Sequence, residues 1–354
     1  IPQEASSSPL FKRVLFLIHE MDMKVRFLPV SEENYRNWTA LQGSPRHIVT
    51  LLARKISAHH INEVTRLVVD NGLNIDKITR LSGRVSLDNG NQSEQACVEF
   101  SLRGELADEL TVRNAMLELA KTLDIDIAYQ EDDMFRRNRR LVVFDMDSTL
   151  IEEEVIDQLA HAANVGEQVS VITESAMRGE IDFQESFRRR VALLKGLDVS
   201  VLDGIYDSLQ LTEGAERLLR ILKRLGYRTA ILSGGFTYFA ERLAERLGVD
   251  YVYANSLPVA NGKVTGEVEG RIVDGERKAE LLKEIADKEH IALEQVIAVG
   301  DGANDLPMLG IAGLGVAFRA KPLVKASARQ SISTLGLDSI LYLLGISERE
   351  LSAS

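Results

Sequence analysis

The chain has 354 residues, 45% of them hydrophobic and 27% charged, with a formal net charge of −11. These values are typical of globular proteins, and the length suits two or three domains rather than one. The acidic charge argues against nucleic acid or an anionic membrane as the main partner, because both favour clustered Lys and Arg. Cys97 is the single cysteine, so an intramolecular disulfide is excluded, and its apolar surroundings predict a buried strand residue.

No apolar run approaches the ~20 residues that a membrane span needs. The first residue is Ile1 rather than Met and no signal-peptide pattern is present, which suits a processed or truncated chain. The cytoplasm is the default expectation for its location. Residues 1–8 are predicted to be a disordered lead. Apolar residues at helical spacing then predict a helix from Pro9 to Met21, and alternation predicts a strand from Lys24 to Val30. We interpret residues 1–44 as a lead segment or as part of a small α+β unit.

Residues 45–132 have the pattern of a second unit. The order of its predicted elements is βαββαβ, with strands at 48–53, 75–82, 96–102 and 125–130, helices at 58–71 and 105–123, and a hairpin signal at Asn89-Gly90-Asn91. This order resembles the ACT domain, which implies dimerisation and amino-acid sensing. ACT domains that bind ligands often carry a Gly-x-Asp turn after the first strand, whereas this chain has residues 53–57, Ala-Arg-Lys-Ile-Ser. The difference favours dimerisation over effector binding.

Two other sets of polar residues in this half of the chain are predicted to lie on the surface. His59 and His60 are adjacent and cannot share a helix face, so surface residues are favoured over a metal site. The connector 131–140 carries four arginines, which suits a solvated linker better than a phosphate site.

The strongest signal is the stretch from Leu141 to Phe144, followed by Asp145 and Asp147. Four apolar residues predict a short buried strand, and side chains two residues apart point the same way in an extended chain. Open α/β sheets bind ligands at this end of their strands. Two converging carboxylates imply Mg²⁺, acid/base chemistry, or both. The alternative is a turn that caps the next helix, with Ser148 or Thr149 as the N-cap.

Beyond this strand, a helical segment at about 153–210 is placed to form a lid, or cap, over the sheet. Alternating strands and helices follow, which predict a parallel, doubly wound sheet over residues 133–354. A second apolar strand ends in Ser233-Gly234-Gly235, Lys278 opens a helix, and a third strand ends in Gly300-Asp301-Gly-Ala-Asn304-Asp305. The sequence therefore predicts that three strand ends deliver polar side chains to one crevice.

These motifs, in this order, resemble the haloacid dehalogenase superfamily of phosphotransferases and, within it, the phosphoserine phosphatases. The resemblance runs from about residue 141 to residue 320. It implies a HAD-like α/β fold with a helical cap after the first strand, and hydrolysis of O-phospho-L-serine in the last step of serine biosynthesis. It also implies an aspartyl-phosphate intermediate, Mg²⁺ as cofactor, and a homodimer through the ACT-like region. Two alternatives stay open: a phosphotransferase acting on another alcohol such as homoserine, and a regulatory protein that only binds its ligand.

The resemblance also implies a role for each residue of the motifs. Asp145 would be the nucleophile and Asp147 the general acid and base. The Mg²⁺ ligands would be the side chains of Asp145 and Asp301 and the backbone carbonyl of Asp147. The phosphate group would be bound by Lys278, Ser233, the Gly234 amide and Asn304. Asp305 would orient Lys278.

Four residues of the lid match substrate-binding positions. Glu154 would hold the substrate ammonium and Arg190 its carboxylate, for which a planar guanidinium is well suited. Met177 and Phe183 match apolar residues that exclude water. The alternatives are an ion pair on a helix face for Arg190 and ordinary lid core for Met177 and Phe183.

Overall fold

The computed structural model describes residues 8–24, 31–40, 43–83, 95–106 and 108–352. Three predicted features therefore lie outside the described residues: the disordered lead at 1–8, the strand at 24–30, and the first arm and turn of the hairpin at 85–91. Of these features, only the end residues Ser8 and Lys24 are described. Within the described part of the chain, no helix combines the length and apolar character that crossing a lipid bilayer requires.

Two helices precede the first described strand: α1 (Pro9–Glu20) and α2 (Glu32–Ala40). Helix α1 begins with Pro9, whose missing N–H group costs nothing at a first helical position. None of the residues of α1 is buried. Helix α2 was not predicted, because its residues show no apolar stripe.

The next unit comprises β1 (Arg46–Ala53), α3 (Ala58–Asp70), β2 (Asn74–Arg80), β3 (Ala96–Arg103), α4 (Glu109–Leu123) and β4 (Asp126–Glu131). The strands form an antiparallel sheet in the order β2-β3-β1-β4. The order of elements is the predicted one, although α4 starts later than the predicted residue 105. The Asp108 side chain accepts hydrogen bonds from the N–H groups of Leu110 and Thr111 and so caps the helix there.

The remaining elements, in chain order, are β5 (Leu141–Phe144), α5 (Val155–Ala162), α6 (Gly166–Met177), α7 (Phe183–Leu193), α8 (Ser200–Ser208), α9 (Ala215–Arg224), β6 (Arg228–Phe236), α10 (Thr237–Leu247), β7 (Tyr251–Asn255), β8 (Val259–Ala260), β9 (Lys263–Val264), α11 (Gly275–Lys288), β10 (Val296–Gly300), α12 (Leu306–Ile311), β11 (Leu314–Phe318), α13 (Pro322–Ser327), β12 (Gln330–Ile332), α14 (Ile340–Leu343) and α15 (Glu348–Ser352).

Six of these strands form a parallel sheet in the order β12-β11-β10-β5-β6-β7. The predicted doubly wound α/β fold is confirmed. Side chains of β5 alternate between two cores, with Val142 and Phe144 in one and Leu141 and Val143 in the other. The strand reads as continuously apolar because helices cover both faces of the sheet. Strand β12, which follows β11, was not predicted, because it is too short and polar to show a strand pattern.

Helices α5 to α8 lie between β5 and α9, the helix that leads into β6, and form the cap. These helices are separated by breaks at 163–165, 178–182 and 194–199. The hairpin β8–β9 joins the cap, because Gly196 and Leu197 pair with the backbone of Val264 through two 2.8 Å hydrogen bonds. Its turn residues, Asn261 and Gly262, both have positive φ (54° and 74°), as a two-residue hairpin turn requires.

The edge strand β4 of the antiparallel sheet lies against the parallel sheet near β12. The Gln330 side chain bonds to both backbone groups of Tyr129. Asp126 accepts from the N–H groups of Ser333 and Thr334, each at 2.8 Å. These contacts cover one edge of the antiparallel sheet. Among the described residues, no strand lies beyond β2 at the other edge.

Candidate active site

The candidate site lies at the carboxyl ends of three neighbouring strands, β10, β5 and β6. Asp145 follows β5 directly, and its N–H group donates to the carbonyl of Val299 in β10 at 2.9 Å. Its side chain is buried, and the oxygen Oδ1 accepts from the Met146 N–H at 2.7 Å. The ladder of the parallel sheet thus holds the first predicted carboxylate at the crevice where α/β folds bind ligands.

Lys278 is fully buried beside this carboxylate. Its Nζ lies 2.8 Å from Oδ1 of Asp145 and 2.7 Å from Oδ1 of Asp305. Asp305 is held in turn by the N–H group of Gly302, 2.9 Å from its other oxygen. Burial works against the charged amine, but Asp145 and Asp305 outweigh it and raise the pKa of Lys278. The lysine is therefore a fixed positive charge.

Three carboxylates converge around this charge. Oxygen atoms of Asp145, Asp301 and Asp305 all lie within 4.8 Å of one another. Burial, and then the charge of Asp305, raise the pKa of Asp145 well above its usual value, and the same two causes raise the pKa of Asp301 to about 7. The three carboxylates carry more negative charge than Lys278 alone can neutralise, and a divalent cation would neutralise the rest. Carboxylate oxygens are hard ligands, which suit Mg²⁺. Both carboxylate oxygens of Asp305 are engaged, one by Lys278 and one by the Gly302 N–H, whereas the contacts of Asp145 with Lys278 and the Met146 N–H both use Oδ1. Asp145 and Asp301 are therefore the candidate side-chain ligands.

Asp147 faces the cap and β6 rather than this cluster. Its Oδ1 accepts from the Val155 N–H at 2.9 Å, and its Oδ2 lies 3.5 Å from the Ser233 hydroxyl. Burial and the nearby charge of Glu154 raise the pKa of Asp147 to about 7. Such a carboxyl group can give and take a proton near neutral pH. The predicted use of its backbone carbonyl as a metal ligand stays a prediction.

The Ser-Gly-Gly turn in β6 completes the floor of the site. The Gly235 N–H donates to the buried Ser233 hydroxyl at 2.8 Å. A Cβ atom on Gly235 would lie 2.5 Å from Oδ2 of Asp147, and one on Gly234 would lie 2.9 Å from the Phe183 ring. Glycine is therefore required at both positions, because Gly235 lies close to Asp147 and Gly234 lies close to Phe183 of the cap.

The cap brings three of its four predicted residues to the site. Glu154 accepts from the Ser148 hydroxyl at 2.9 Å, and the Phe183 ring covers Gly234. Arg190 has a buried Nε without a hydrogen-bond partner, burial lowers the pKa of its guanidinium, and its charge interacts with Glu154 and Asp147. Met177, by contrast, is 64% exposed. Its predicted role in excluding water stays a prediction.

The remaining predicted residue, Asn304, is half-buried in the loop after β10. Its Oδ1 would lie 2.2 Å from a Cβ atom on Gly302, so its side chain packs directly over that loop. The predicted role of Asn304 in binding phosphate stays a prediction.

Two further residues link these parts and were missed by the sequence analysis. Gln184 of the cap donates to Asp274, the residue that caps α11, at 2.6 Å. Asn255 bonds through its side chain to Gly234 and to Val273. Asn255 is the last residue of β7 and so lies at the same edge of the sheet. A polar residue at the end of a predicted strand is a signal by which the sequence analysis could have identified it. Gln184 has no such signal, because its partner is distant in sequence.

The chain is similar to several known proteins. The sequence model of the haloacid dehalogenase-like hydrolases matches residues 142–310. The phosphoserine phosphatase of Streptomyces coelicolor is 43% identical over 313 residues, 88% of this chain and 74% of its own length. The structure of the unliganded probable phosphoserine phosphatase of Vibrio cholerae covers 89% of this chain and 90% of its own, with 31% identity and a TM-score of 0.67. A phospho-aspartyl intermediate analogue of a phosphoserine phosphatase covers 58% of this chain and 98% of its own, with 45% identity and a TM-score of 0.55.

Proposed function

Because the chain belongs to the phosphoserine phosphatases of the haloacid dehalogenase superfamily, it hydrolyses O-phospho-L-serine, and we propose that Asp145 and Asp147 carry out the chemistry. The main observation in support of this proposal is that the two carboxylates have different surroundings. Asp145 contacts the fixed charge of Lys278, whereas Asp147 has a pKa of about 7 and faces the cap. The first is suited to attack phosphorus and the second to move protons.

The reaction then has two displacements. A carboxylate oxygen of Asp145 attacks phosphorus, the bond from phosphorus to the seryl oxygen breaks, and Asp147 gives its proton to that oxygen. Water next attacks the phosphorus of the aspartyl-phosphate, Asp147 takes a proton from it, and the Asp145 carboxylate is restored. The relative solved as a phospho-aspartyl intermediate analogue supports such an intermediate here.

Positive charge is needed because an anionic carboxylate attacks an anionic ester. Lys278 supplies one charge from its position between Asp145 and Asp305. Asp145 and Asp301, with the backbone carbonyl of Asp147, would hold Mg²⁺, whose charge offsets the remaining repulsion. Ser233, the Gly234 amide and Asn304 would hydrogen-bond the phosphoryl oxygens.

A direct assay tests the function. We expect purified protein to release phosphate from O-phospho-L-serine faster than from other small phosphoesters, with serine and phosphate formed in equal amounts. Chelation with EDTA should stop the reaction, and added Mg²⁺ should restore it. Phosphate appearing on an added alcohol such as homoserine, instead of in solution, would favour a phosphotransferase. Binding of phosphoserine without turnover would favour a regulatory protein.

Substrate choice is assigned to Glu154 and Arg190, which would bind the ammonium and carboxylate groups of phosphoserine. We expect Glu154→Gln to lower kcat/KM for phosphoserine by about 10- to 100-fold, since a hydrogen bond to a charged group contributes about 1.5–3 kcal/mol. Hydrolysis of p-nitrophenyl phosphate, which has no ammonium, should change by less than about threefold. The two substrates are compared in parallel assays.

Glu153→Gln is the matched control, because Glu153 undergoes the same chemical change while its carboxylate accepts from the backbone N–H of Gln210, away from Asp147. We expect it to affect both substrates alike. Equal losses on both substrates with Glu154→Gln would rule out the ammonium contact.

The proposal extends to the domains and their assembly. Residues 133–354 form the phosphatase domain with its cap at about 153–210. Residues 45–132 form an ACT-like regulatory or dimerisation domain, residues 1–44 a partial ACT-like unit or lead segment, and the enzyme acts in the cytoplasm as a homodimer. The sheet order β2-β3-β1-β4, whose β2 edge has no neighbouring strand among the described residues, supports pairing of two chains. Light scattering of the whole chain tests this, and a monomer mass would exclude it.

A further inference from the structure

One buried side-chain amide connects two motifs of the active site. Asn255, at the end of β7, is only 4% exposed. Its Nδ2 donates to the carbonyl of Gly234 at 2.8 Å, and its Oδ1 accepts from the N–H of Val273 at 2.8 Å. Both functions of the amide are thus used, one on the Ser-Gly-Gly turn and one on the segment that leads into α11.

The first contact determines how the Ser233 hydroxyl can be used. The Gly234 carbonyl and the Gly235 N–H belong to one trans peptide group and point in opposite directions. With the carbonyl held by Asn255, the N–H is directed at the Ser233 oxygen, 2.8 Å away. That oxygen is therefore an acceptor, and its single hydrogen is left to be donated into the site, where Oδ2 of Asp147 lies 3.5 Å away.

The second contact reaches the helix that carries the lysine. Val273 precedes Asp274, whose side chain caps α11 by accepting from the Arg277 N–H at 2.9 Å. Lys278 follows in the first turns of that helix and donates its backbone N–H to the Asp274 carbonyl. A shift of Val273 would therefore be passed to the start of the helix that positions the buried ammonium group.

We propose that Asn255 is a positioning residue that holds the Ser233 hydroxyl and the Lys278 ammonium at the spacing needed to bind one phosphoryl group. This inference rests on the roles proposed above for Ser233 and Lys278. Asn255 touches no reacting atom itself and acts through the Gly234 peptide group and the start of α11.

The test is a double-mutant cycle of Asn255→Asp with Ser233→Ala. Asp keeps the shape and the acceptor for Val273 but loses the donor to the Gly234 carbonyl. We expect Asn255→Asp to lower kcat/KM for phosphoserine by about 100-fold, the scale of a small misplacement in an active site. In the Ser233→Ala background the same change should cost less than about tenfold, because the hydroxyl that it orients is already gone. Losses that multiply in the double variant would overturn the inference.

Thr229→Val is the control for stability alone. Thr229 is buried at the opposite end of β6, where its hydroxyl and N–H donate to Asp250 at 3.1 and 2.8 Å. We expect this variant to lower the melting temperature while kcat/KM stays within about twofold of the parent. If Asn255→Asp does not fold, Asn255→Ala replaces it in the same cycle; because Ala also loses the acceptor for Val273, part of its loss should persist in the Ser233→Ala background, but the loss should still be smaller there than in the parent. A parent protein inactive on phosphoserine would refute the proposed function, whereas an active parent with an Asn255 variant within threefold of it would refute only this inference.

Discussion

Replacing Asp145 by Asn is expected to lower kcat for phosphoserine by at least about 10⁴-fold, the scale of losing a catalytic nucleophile. The amide keeps the size of the side chain, and its oxygen can still accept from Lys278 and from the Met146 N–H. What disappears is the carboxylate that attacks phosphorus. Single-turnover and steady-state phosphate release measure the loss.

Stability should move in the other direction in the same variant. Burial and the neighbouring carboxylate of Asp305 raise the pKa of Asp145, which means that the folded protein disfavours its charged form. A neutral amide relieves that cost, so we expect the melting temperature of Asp145→Asn to equal or exceed that of the parent. Asp126→Asn is the matched control, since Asp126 is a buried carboxyl group with a raised pKa outside the crevice. It should leave kcat unchanged. More than a hundredth of the parent activity in Asp145→Asn would refute the nucleophile assignment.

The sequence predicted the parallel sheet well because its strands are short apolar runs that end in polar residues. The strand before Asp145 and the strand before Asp301 fall next to each other in the sheet, as β5 and β10. The short or polar elements α2, α12, α13, β12 and α15 were missed. Helix α9 was missed as well, although its buried apolar residues recur at helical spacing. Strand β12 exists because its backbone pairs with β11 and its Gln330 side chain bonds to Tyr129 in another part of the chain. Such partners, distant in sequence, leave no local pattern.

The features of the site also divide into those that the sequence predicted and those that it did not. The strand pattern predicted that Asp145 and Asp305 meet at the carboxyl edge of the sheet, whereas Lys278 was placed with them by the family resemblance. The environment of each carboxyl group was not predictable. The raised pKa of Asp147 depends on burial and on Glu154, and the exposure of Met177 depends on where the end of α6 lies over the sheet. Asn255 was missed as a partner of Gly234 because a chain read in order does not show which strands are neighbours.

Replacing Lys278 by Met is expected to destabilise the protein by about 3–5 kcal/mol and also to abolish turnover. Its ammonium is fully buried between Asp145 and Asp305, with Asp301 nearby. Removing one partner of a buried ion pair leaves the other charges uncompensated, and that effect is larger than the loss of the attraction itself. Thermal and urea unfolding measure the stability, and phosphate release measures the activity.

A second substitution separates these two effects. Asp305→Asn in the Lys278→Met background removes one of the uncompensated charges, so we expect it to recover part of the lost stability, a non-additive result for residues in contact. Activity should not recover, because the phosphoryl group still lacks its fixed positive charge. Lys283→Met, an exposed lysine of the same helix, is the control and should change stability by less than about 0.5 kcal/mol. Additive losses in the double variant would contradict the view that Lys278 is held in the fold chiefly by neutralising these carboxylates.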